Sequence, residues 1–404
     1  MTDPRPDTES GLPGTMWRTW PTYGEEELSV ATRVLRSGHV NYWTGDEGRS
    51  FEREYAAYVG QAHGIALMNG TVALEAALRA VGVGAGDEVV VPARTFIATA
   101  SAVIACGAQP VVCDVDPVSG NASAETIERA VGPRTRAVIP VHIGGWPCDM
   151  SAITELATGR GLAVIEDCAQ AHGATWAGKQ VGSFGDVGAF SFCQDKIIST
   201  CGEGGMAVTD REPLWRRMWE YKDHGRGWDA VQEARARGGC TYQPVYETFG
   251  TNWRMTEVQA AVGRLQLRKL DRWVSERRAN AASLDDLLGS IPGIRVTVPS
   301  RVAGHAYYRY YAYVDTDALR GGWSRDRILG EVSAAGVPCG SGVCPEIYLE
   351  AAFTSRGIAP STRLPNARLL GETSLMFLVH PTVGAAEMCA VSDVVARVMK
   401  QAVR

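Results

Sequence analysis

Three short segments of the chain carry side chains whose types and order suit one kind of chemistry. Asn69-Gly70-Thr71 precedes an apolar pattern of helical period, and the free amides at a helix N-terminus suit a phosphate group. Asp167 ends an apolar run, where a carboxylate gains from a cationic partner such as a protonated pyridine nitrogen. Lys196 follows 29 residues later, before the glycine-rich turn 201–205, and a partly desolvated lysine can form a Schiff base.

Each of these segments has an ordinary structural interpretation when it is taken alone. Asn69-Gly70-Thr71 suits a simple helix N-cap, an acid is common at a strand end, and most lysines are solvated. Asp195 would oppose a lowered pKa of its neighbour Lys196 if it pointed inward, and we expect it to point away. The order of the parts, a phosphate-type cap, then an acid, then a lysine, favours a cofactor-dependent enzyme.

The chain between Ala66 and Asp167 alternates strand-like and helix-like segments, which predicts a doubly wound α/β domain. Apolar runs such as VVVP, AVIPV and AVIED lack the alternation of half-exposed strands and indicate a mostly parallel sheet with helices on both faces. Sites in such sheets form at the carboxyl ends of the strands, where the candidate residues stand. The predicted helices are 24–38, 71–81, 96–106, 123–131 and 150–160, and the predicted strands are 86–93, 109–116, 136–143 and 162–168.

In the second half of the chain the regular alternation of predicted strands and helices ends. Residues 187–192 and 204–210 are predicted strands and 212–221 a helix, whereas 224–250 is predicted as a long loop and 255–287 as one long helical stretch. A break at 290–293 opens a smaller α+β unit, with strands 294–299 and 307–315 and helices 324–336 and 385–400. We therefore predict a large cofactor-binding domain, residues 1–285 with 1–15 disordered, and a small C-terminal domain, residues 286–404.

Composition narrows the class of protein. The 404 residues carry 40 basic and 45 acidic side chains, a net charge of −5 that argues against a dedicated nucleic-acid binder. The apolar runs are of strand length, too short to span a membrane, and the polar N-terminus does not resemble a secretory signal, so we expect a cytoplasmic protein. Ten cysteines without a CxxC spacing indicate structural thiols and predict no metal site.

The ordered blocks of the sequence resemble one family. NGTVALEAAL, GDEVVVPARTFIATASAV, IEDCAQAHGA, GSFGDVGAFSF, Lys196, GEGGMAVTD and GTNWRMTEVQAAVGRLQL stand in the order and spacing of the DegT/DnrJ/EryC1/StrS sugar aminotransferases. The resemblance runs from about Gly38 to His380. It implies a fold type I pyridoxal 5′-phosphate (PLP) transferase, in which a mostly parallel central sheet is wrapped by helices and followed by a smaller α+β domain.

The resemblance also implies roles for single residues. Lys196 resembles the lysine that forms the Schiff base with PLP and moves protons, and Asp167 resembles the acid that pairs with its pyridine nitrogen. The other implied cofactor contacts are Gln170 at the ring hydroxyl, Phe96 stacked on the ring, Gly70, Thr71 and Ser191 at the phosphate, and Asn252 reaching the phosphate from the other subunit. The implied assembly is a homodimer with active sites at the interface.

Further positions resemble the family's substrate segments. Trp43 and Thr44 stand where its N-terminal substrate loop lies, and the remaining substrate candidates are His224, Arg254 and His305. His224 and Arg254 suit a structural role equally well. His172 fits a family block but is better explained as a packing residue.

The resemblance implies an aminotransferase that moves an amino group from L-glutamate or L-glutamine to a keto sugar, nucleotide-linked, in antibiotic or surface polysaccharide biosynthesis. Dehydratase relatives carry histidine in place of the lysine, so Lys196 favours amino transfer. Two alternatives stay open: a keto-cyclitol or aminoglycoside precursor as acceptor, and a non-catalytic regulatory member that binds PLP or a sugar. A nicotinamide-dependent oxidoreductase would need a GxGxxG turn, which the sequence lacks.

Overall fold

The computed structural model describes residues 17–238 and 243–404, so the predicted disorder of residues 1–15 lies outside the described residues. The described strands are β1 (His63–Leu67), β2 (Glu88–Pro92), β3 (Gln109–Cys113), β4 (Thr135–Val138), β5 (Ala163–Asp167), β6 (Thr175–Trp176), β7 (Lys179–Gln180), β8 (Val187–Ser191), β9 (Gly205–Thr209), β10 (Ile294–Val296), β11 (Ala303–Gly304), β12 (Tyr310–Val314), β13 (Cys339–Gly340) and β14 (Ser374–Phe377). The described α-helices are α1 (Glu25–Ser37), α2 (Glu47–Val59), α3 (Gly70–Ala80), α4 (Ala98–Ala105), α5 (Ala124–Glu128), α6 (Met150–Arg160), α7 (Glu212–Lys222), α8 (Trp228–Arg237), α9 (Glu257–Leu267), α10 (Leu270–Gly289), α11 (Arg325–Ala334), α12 (Ala351–Thr354), α13 (Pro365–Thr373) and α14 (Ala385–Ala402).

Local sequence signals explain where several helices begin and end. The Asn69 side chain caps α3 by accepting the amide of Val72 at 3.0 Å. Thr256 and Gln259 form a reciprocal capping box at the start of α9. Gly38 ends α1 with a φ of 72°, a left-handed conformation that glycine adopts without steric cost.

The central sheet has seven strands in the order β1-β9-β8-β5-β4-β2-β3. Strands β8, β5, β4, β2 and β3 are parallel, whereas β9 runs antiparallel to both of its neighbours, β1 and β8. Strands β8 and β9 are buried along their full length, as expected of strands with both faces covered. This architecture confirms the α/β fold with a large, mostly parallel sheet.

A second sheet lies in the C-terminal part of the chain. Its four strands follow the order β10-β12-β14-β13, and all of its pairings are antiparallel. Helices α10, α11 and α14 pack around a separate apolar cluster that includes residues of this sheet. Helix α10 runs through the predicted domain boundary at residues 285 and 286, and that boundary stays a prediction. Within the described residues, no helix combines the length and the apolar run needed to cross a bilayer.

Two expected elements were wrong. The segment predicted as the loop 224–250 contains helix α8, because its alanine and charged residues form a helix whose apolar side Val231 fills. The single helical stretch predicted for 255–287 is two helices, α9 and α10, which are separated at Arg268 and Lys269. Helix α2 and strand β1 extend the structure ahead of the first predicted strand.

Candidate active site

The carboxyl ends of β1, β5 and β8 meet at one edge of the central sheet. Strand β1 runs in the same direction as β8, because each pairs antiparallel with β9 between them. Asp167 is the last residue of β5 and pairs with Ala189 of β8, two residues before Ser191. The first residue of β9, Gly205, lies between Leu67 and Ser191 in the register. This edge therefore collects the predicted acid, the predicted serine and the start of α3.

Asp167 is a buried carboxylate that lacks a cation. One oxygen accepts from the Thr99 hydroxyl at 2.9 Å and the other from the amide of Ala169 at 3.2 Å. Among the ion pairs of residues 17–238 and 243–404, none includes Asp167. Burial raises the pKa of Asp167, and these two hydrogen bonds together with the charge of Lys196 offset only part of that effect. A protonated pyridine nitrogen would supply the missing cation, so the residue fits the PLP ring.

The start of α3 forms a close-packed cradle suited to a phosphate. The amides of Gly70 and Thr71 find no acceptor among the described residues, which leaves them free for an anion. A Cβ on Gly70 would lie 2.6 Å from Cβ of Ser191, and a Cβ on Gly205 would lie 2.2 Å from the carbonyl oxygen of Asn69. The glycines thus let the serine and the helix start approach closely, which fits the predicted phosphate contacts.

Lys196 lies in the turn after β8 with its side chain 16% exposed. Its Nζ is 3.4 Å from Oδ1 of Asp195 and 5.0 Å from the ring centre of Tyr308. The expectation that Asp195 points away was wrong, because Tyr308 and Arg309 hold its carboxylate beside the lysine. Burial disfavours the ammonium, but Tyr308 and Asp195 outweigh burial, and the pKa of Lys196 lies above its usual value. The sequence indicated neither Tyr308 nor Arg309 as part of this site.

Gln170 and Phe96 lie on neighbouring loops at the same edge of the sheet. Oε1 of the buried Gln170 accepts the amide of Gly144 at 2.8 Å, which leaves its NH₂ group to donate elsewhere. Phe96 follows β2 and is 60% exposed, an unusual state for a phenylalanine unless something covers it. Thr95 and Thr99 share a hydrogen bond of 2.8 Å, and Thr99 ties this loop to Asp167. Thr99 is a contact that sequence reasoning missed.

The structure brings Asn252, His224 and Arg254 together beside the end of β1. Asn252 is exposed, and its backbone pairs with that of Asp223 in an isolated antiparallel β-bridge. The backbone of Arg254 pairs with that of Leu67 in the same way. The guanidinium of Arg254 forms an ion pair with Asp223, which is fully buried. His224 is exposed and has a φ of 64°, with its amide bonded to the carbonyl of Thr251. Arg254 therefore has a structural partner, and its substrate contact stays a prediction.

Trp43, Thr44 and His305 have their described contacts away from Asp167 and Lys196. Trp43 lines a cavity of about 280 Å³ beside the amino end of β1, where its ring meets Trp219 at 6.1 Å. The exposed Thr44 donates to the carbonyl of Asn41 at 3.1 Å. His305 is buried and stacks on Tyr307 with ring centres 3.8 Å apart. Their substrate roles stay predictions.

His172 is buried near this edge, and both of its ring nitrogens form hydrogen bonds. His172 contacts the Tyr55 hydroxyl at 2.6 Å and the Ser191 carbonyl at 2.8 Å, and burial lowers its pKa to about 3. The neutral ring must donate to the carbonyl from Nε2, so Nδ1 accepts from Tyr55. This supports the packing interpretation of His172, since the ring orders the strand that carries Ser191.

His142, Glu166 and Cys168 are buried with ligand atoms within 4.8 Å of one another. The polar atoms of His142 and Glu166 already have hydrogen-bond partners in the protein and do not require a metal ion. Glu166 accepts the amides of Gly182, Phe184 and Gly185 at 2.7–2.8 Å and contacts Nε2 of His142 at 3.2 Å. Nδ1 of His142 accepts the amide of Cys148, so this ring is engaged on both nitrogens. The carboxylate is thereby satisfied, and burial raises the pKa of Cys168 well above its usual value, which disfavours a thiolate ligand.

Comparisons with known proteins agree with this geometry. The model of the DegT/DnrJ/EryC1/StrS aminotransferase family matches residues 21–398. L-glutamine:2-deoxy-scyllo-inosose aminotransferase of Streptoalloteichus tenebrarius is 40% identical over 311 residues, 76% of this chain and 72% of the relative. GDP-perosamine synthase of Caulobacter vibrioides is 40% identical over 325 residues, 77% of this chain and 82% of the relative. The X-ray structure of an aminotransferase from Psychrobacter cryohalolentis is 48% identical, with a TM-score of 0.92, and the match covers 95% of this chain and 99% of that one.

Proposed function

Because this chain belongs to the DegT/DnrJ/EryC1/StrS aminotransferase family and is a PLP-dependent transaminase, we propose that it aminates a keto sugar with L-glutamate or L-glutamine as donor. The observation that carries the proposal is the buried Asp167, which forms no ion pair with the described residues, at the same sheet edge as the free amides of α3 and the nearby Lys196. This edge offers an acid for a ring nitrogen, donors for a phosphate and an amine for an aldehyde.

Each of these groups has a defined task in the proposal. Asp167 would hold a proton on the ring nitrogen, and the amides of Gly70 and Thr71 with the Ser191 hydroxyl would bind the phosphate. Lys196 would bond covalently to the cofactor and, when its amine is free, take up and deliver protons at Nζ. When bound, PLP supplies an electron sink for the carbon that loses or gains the amine.

We propose a nucleotide-linked keto sugar as the acceptor, with a keto-cyclitol as the alternative. GDP-perosamine synthase, named for a nucleotide-linked amino sugar, supports the first. The aminotransferase named for 2-deoxy-scyllo-inosose supports the second at equal identity. Biosynthesis of an antibiotic or a surface polysaccharide is consistent with both. A regulatory role is disfavoured, because Lys196 and Asp167 are both present in the geometry described above.

We further propose a homodimer with the sites at the interface. Phe96 and Phe249 are 60% and 100% exposed in the single chain, and Asn252 is exposed two residues before Arg254, whose backbone pairs with the end of β1. Large exposed apolar side chains are typical of surfaces that a second subunit covers. Light scattering should give twice the mass of 43.4 kDa, and a monomer would contradict the proposal.

We also propose that the protein is located in the cytoplasm. The nine described cysteines are free thiols, which suits a reducing compartment.

The amino transfer can be tested on the purified chain. The protein with PLP should absorb near about 400–430 nm, and L-glutamate or L-glutamine should bleach this band. Borohydride should fix the cofactor on the peptide that contains Lys196. Lys196→Ala should abolish transamination and fixation, whereas Lys179→Ala, a change at a lysine that bonds the Ser183 carbonyl, should retain both. Recovery of the band with a panel of nucleotide-linked keto sugars and keto-cyclitols would identify the acceptor class, and appreciable transamination by Lys196→Ala would refute its role.

A further inference from the structure

The residue directly before the lysine is held against it from a distant part of the chain. Asp195 places Oδ1 3.4 Å from Nζ of Lys196, and its other oxygen, Oδ2, accepts from the Tyr308 hydroxyl. Arg309 contacts the same Oδ2 through Nη2 at 3.4 Å. Tyr308 and Arg309 come from the segment just before β12 and are more than a hundred residues away in sequence, at a separation of 113 for Tyr308 and Asp195. The carboxylate is therefore fixed on both sides and cannot turn toward solvent without breaking these contacts.

We propose that Asp195 is the counter-ion of Lys196 in the apoprotein, positioned by Tyr308 and Arg309, and that it holds the lysine amine as the ammonium until the cofactor is captured. The importance of this ion pair for catalysis rests on the proposed covalent role of Lys196. The ion pair itself, and its effect on the protonation of the amine, is inferred from the contacts alone. Asp195 acts through Lys196 and is thus a positioning residue.

The other groups that face Lys196 are not anions near pH 7. Burial raises the pKa of Tyr308, so it faces the ammonium as a neutral phenol near pH 7. Burial likewise raises the pKa of Cys193, which favours the thiol. Burial lowers the pKa of His172 to about 3, which makes that ring neutral. Arg309 is cationic and opposes the ammonium.

The remaining acid, Asp167, is not paired with Lys196. No Asp167–Lys196 ion pair occurs among the described residues, and the Asp167 oxygens accept from Thr99 and Ala169. Within residues 17–238 and 243–404, Asp195 is the carboxylate within 4 Å of the amine, with its side chain 33% exposed and that of Lys196 16% exposed. Coulomb attraction at such a partly buried pair is stronger than in bulk water. The aromatic face of Tyr308, 5.0 Å from Nζ, adds a further preference for the ammonium.

This arrangement has a consequence for the order of proton transfers. To bond with an aldehyde, the ammonium must first lose one proton to water, after which the neutral amine adds to the carbonyl carbon and water leaves. Asp195 makes the first loss harder and so slows capture of the cofactor at neutral pH. After the amine released from the cofactor has taken up a proton, the same ion pair stabilises the resulting ammonium.

The protonation of Lys196 can be measured without any cofactor or turnover. Apoprotein is labelled with trace acetic anhydride at a series of pH values, and mass spectrometry follows the acetylated peptide that contains Lys196, since only the neutral amine reacts. In Asp195→Asn the labelling midpoint should fall by one pH unit or more, so that labelling at mildly alkaline pH becomes about tenfold faster or more than in the wild type. Asp195→Glu keeps the charge and should restore most of the wild-type profile.

Two further variants, measured beside Asp195→Asn, decide the outcome. Tyr308→Phe keeps the carboxylate, its contact with Arg309 and the ring but removes the hydroxyl that positions Asp195, so its midpoint should fall by less than that of Asp195→Asn. Asp326→Asn removes an exposed carboxylate that pairs with Arg325 and should leave the profile unchanged. Equal midpoints in Asp195→Asn and the wild type, with circular dichroism showing both folded, would overturn the proposal, as would a shift in Tyr308→Phe as large as that in Asp195→Asn.

Capture of PLP by the same apoproteins separates this proposal from the proposed function. Faster capture by Asp195→Asn at neutral pH is expected if Lys196 bonds to PLP. A shifted labelling midpoint together with no PLP capture by the wild type would support the counter-ion and refute the covalent role of Lys196.

Discussion

Glu166 and Asp167 are adjacent acids whose surroundings give them opposite tasks. Glu166 is buried and receives three backbone amides, so its charge is fully used by the fold. Asp167 is also buried but receives the Thr99 hydroxyl and one amide, and burial raises its pKa. A buried carboxylate with so few partners is poised for an incoming cation. The difference arises because alternate residues of a strand face opposite sides of the sheet.

Asp167→Asn tests this demand for a cation, since it keeps the shape of the side chain and removes its charge. Losing the partner of a buried cation costs about 3–5 kcal/mol, so PLP should bind about a hundredfold or more weakly. The measurement is the dissociation constant of PLP from equilibrium dialysis of the apoprotein. Asp271→Asn, at a carboxylate that accepts the Tyr58 hydroxyl, is the matched control and should bind PLP as the wild type does. Unchanged affinity in Asp167→Asn would show that the carboxylate does not meet the cofactor ring.

At this scale the sequence predicts residues at strand ends and misses those that come from elsewhere. Asp167 and Ser191 meet because parallel strands end at one edge, a rule that needs no coordinates. Tyr308 could not be placed beside Asp195, because the contact joins segments 113 residues apart. The inward orientation of Asp195 follows from that contact, so it was missed for the same reason.

Helix α3 and strand β9 approach more closely than side chains would allow. A Cβ on Gly205 would lie 2.2 Å from the carbonyl oxygen of Asn69 and 3.0 Å from the amide nitrogen of Gly70. Real Cβ atoms do not reach such distances from backbone, so the glycine is what allows the helix start to seat against the sheet. The position of the free amides of Gly70 and Thr71 thus depends on a residue of another element.

Gly205→Ala should push the start of α3 away from β9. We expect the free energy of unfolding to fall by about 1–3 kcal/mol, typical of overpacking, and the affinity for PLP to fall with it. Gly330→Ala is the matched control in helix α11, where a Cβ would meet nothing within 4 Å, and it should stabilise the protein by about 0.5–1 kcal/mol. Urea unfolding and PLP titration of both variants measure these effects. Wild-type PLP affinity in Gly205→Ala would contradict the link between this contact and the cradle.

The elements that the sequence predicts correctly have strong local signals. Helix α6 has the predicted bounds of residues 150–160, since Asp149 caps its start and Gly161 ends it. Helix α8 was predicted as loop, because glycine and single aromatics surround it and the apolar contacts of Trp228 come from α7. The break between α9 and α10 lacks proline and glycine, so the sequence offered no signal for it.

The parts of the molecule are tied together through buried polar groups. Tyr308 and Arg309 bond Asp195 in the turn after β8, and the Arg94 guanidinium meets the Tyr313 hydroxyl of β12 at 3.3 Å. The segment just before β12 thus contacts the loop that carries Lys196, and β12 itself contacts the loop that leads to Phe96. Periodicity and composition predict two units in the chain, but such contacts depend on the assembled fold. Substitutions that destabilise the C-terminal unit should therefore disturb the contacts of Asp195 with Lys196.

Buried neutral histidines make the stability of the whole molecule depend on pH. Burial lowers the pKa of His172 and of His380 to about 3 each. In the unfolded chain a histidine takes up its proton near about pH 6.5. The unfolded state therefore binds more protons than the folded state between these values, and the free energy of unfolding falls as the pH drops below about 6.5.

His380→Asn isolates one of these contributions, because the amide can keep the contact of Nδ1 with the Thr382 hydroxyl at 2.8 Å. Between about pH 7.5 and 5.5, each buried histidine should lower the free energy of unfolding by about 1.4 kcal/mol. The wild type should therefore lose about that much more stability than His380→Asn over this range, measured by urea unfolding at both pH values. His39→Asn, at an exposed residue, should keep the wild-type dependence. If the wild type and His380→Asn lose equal free energy of unfolding over this range, His380 takes up its proton in the folded protein. The ring stacked on Trp20 would then not be neutral at about pH 5.5.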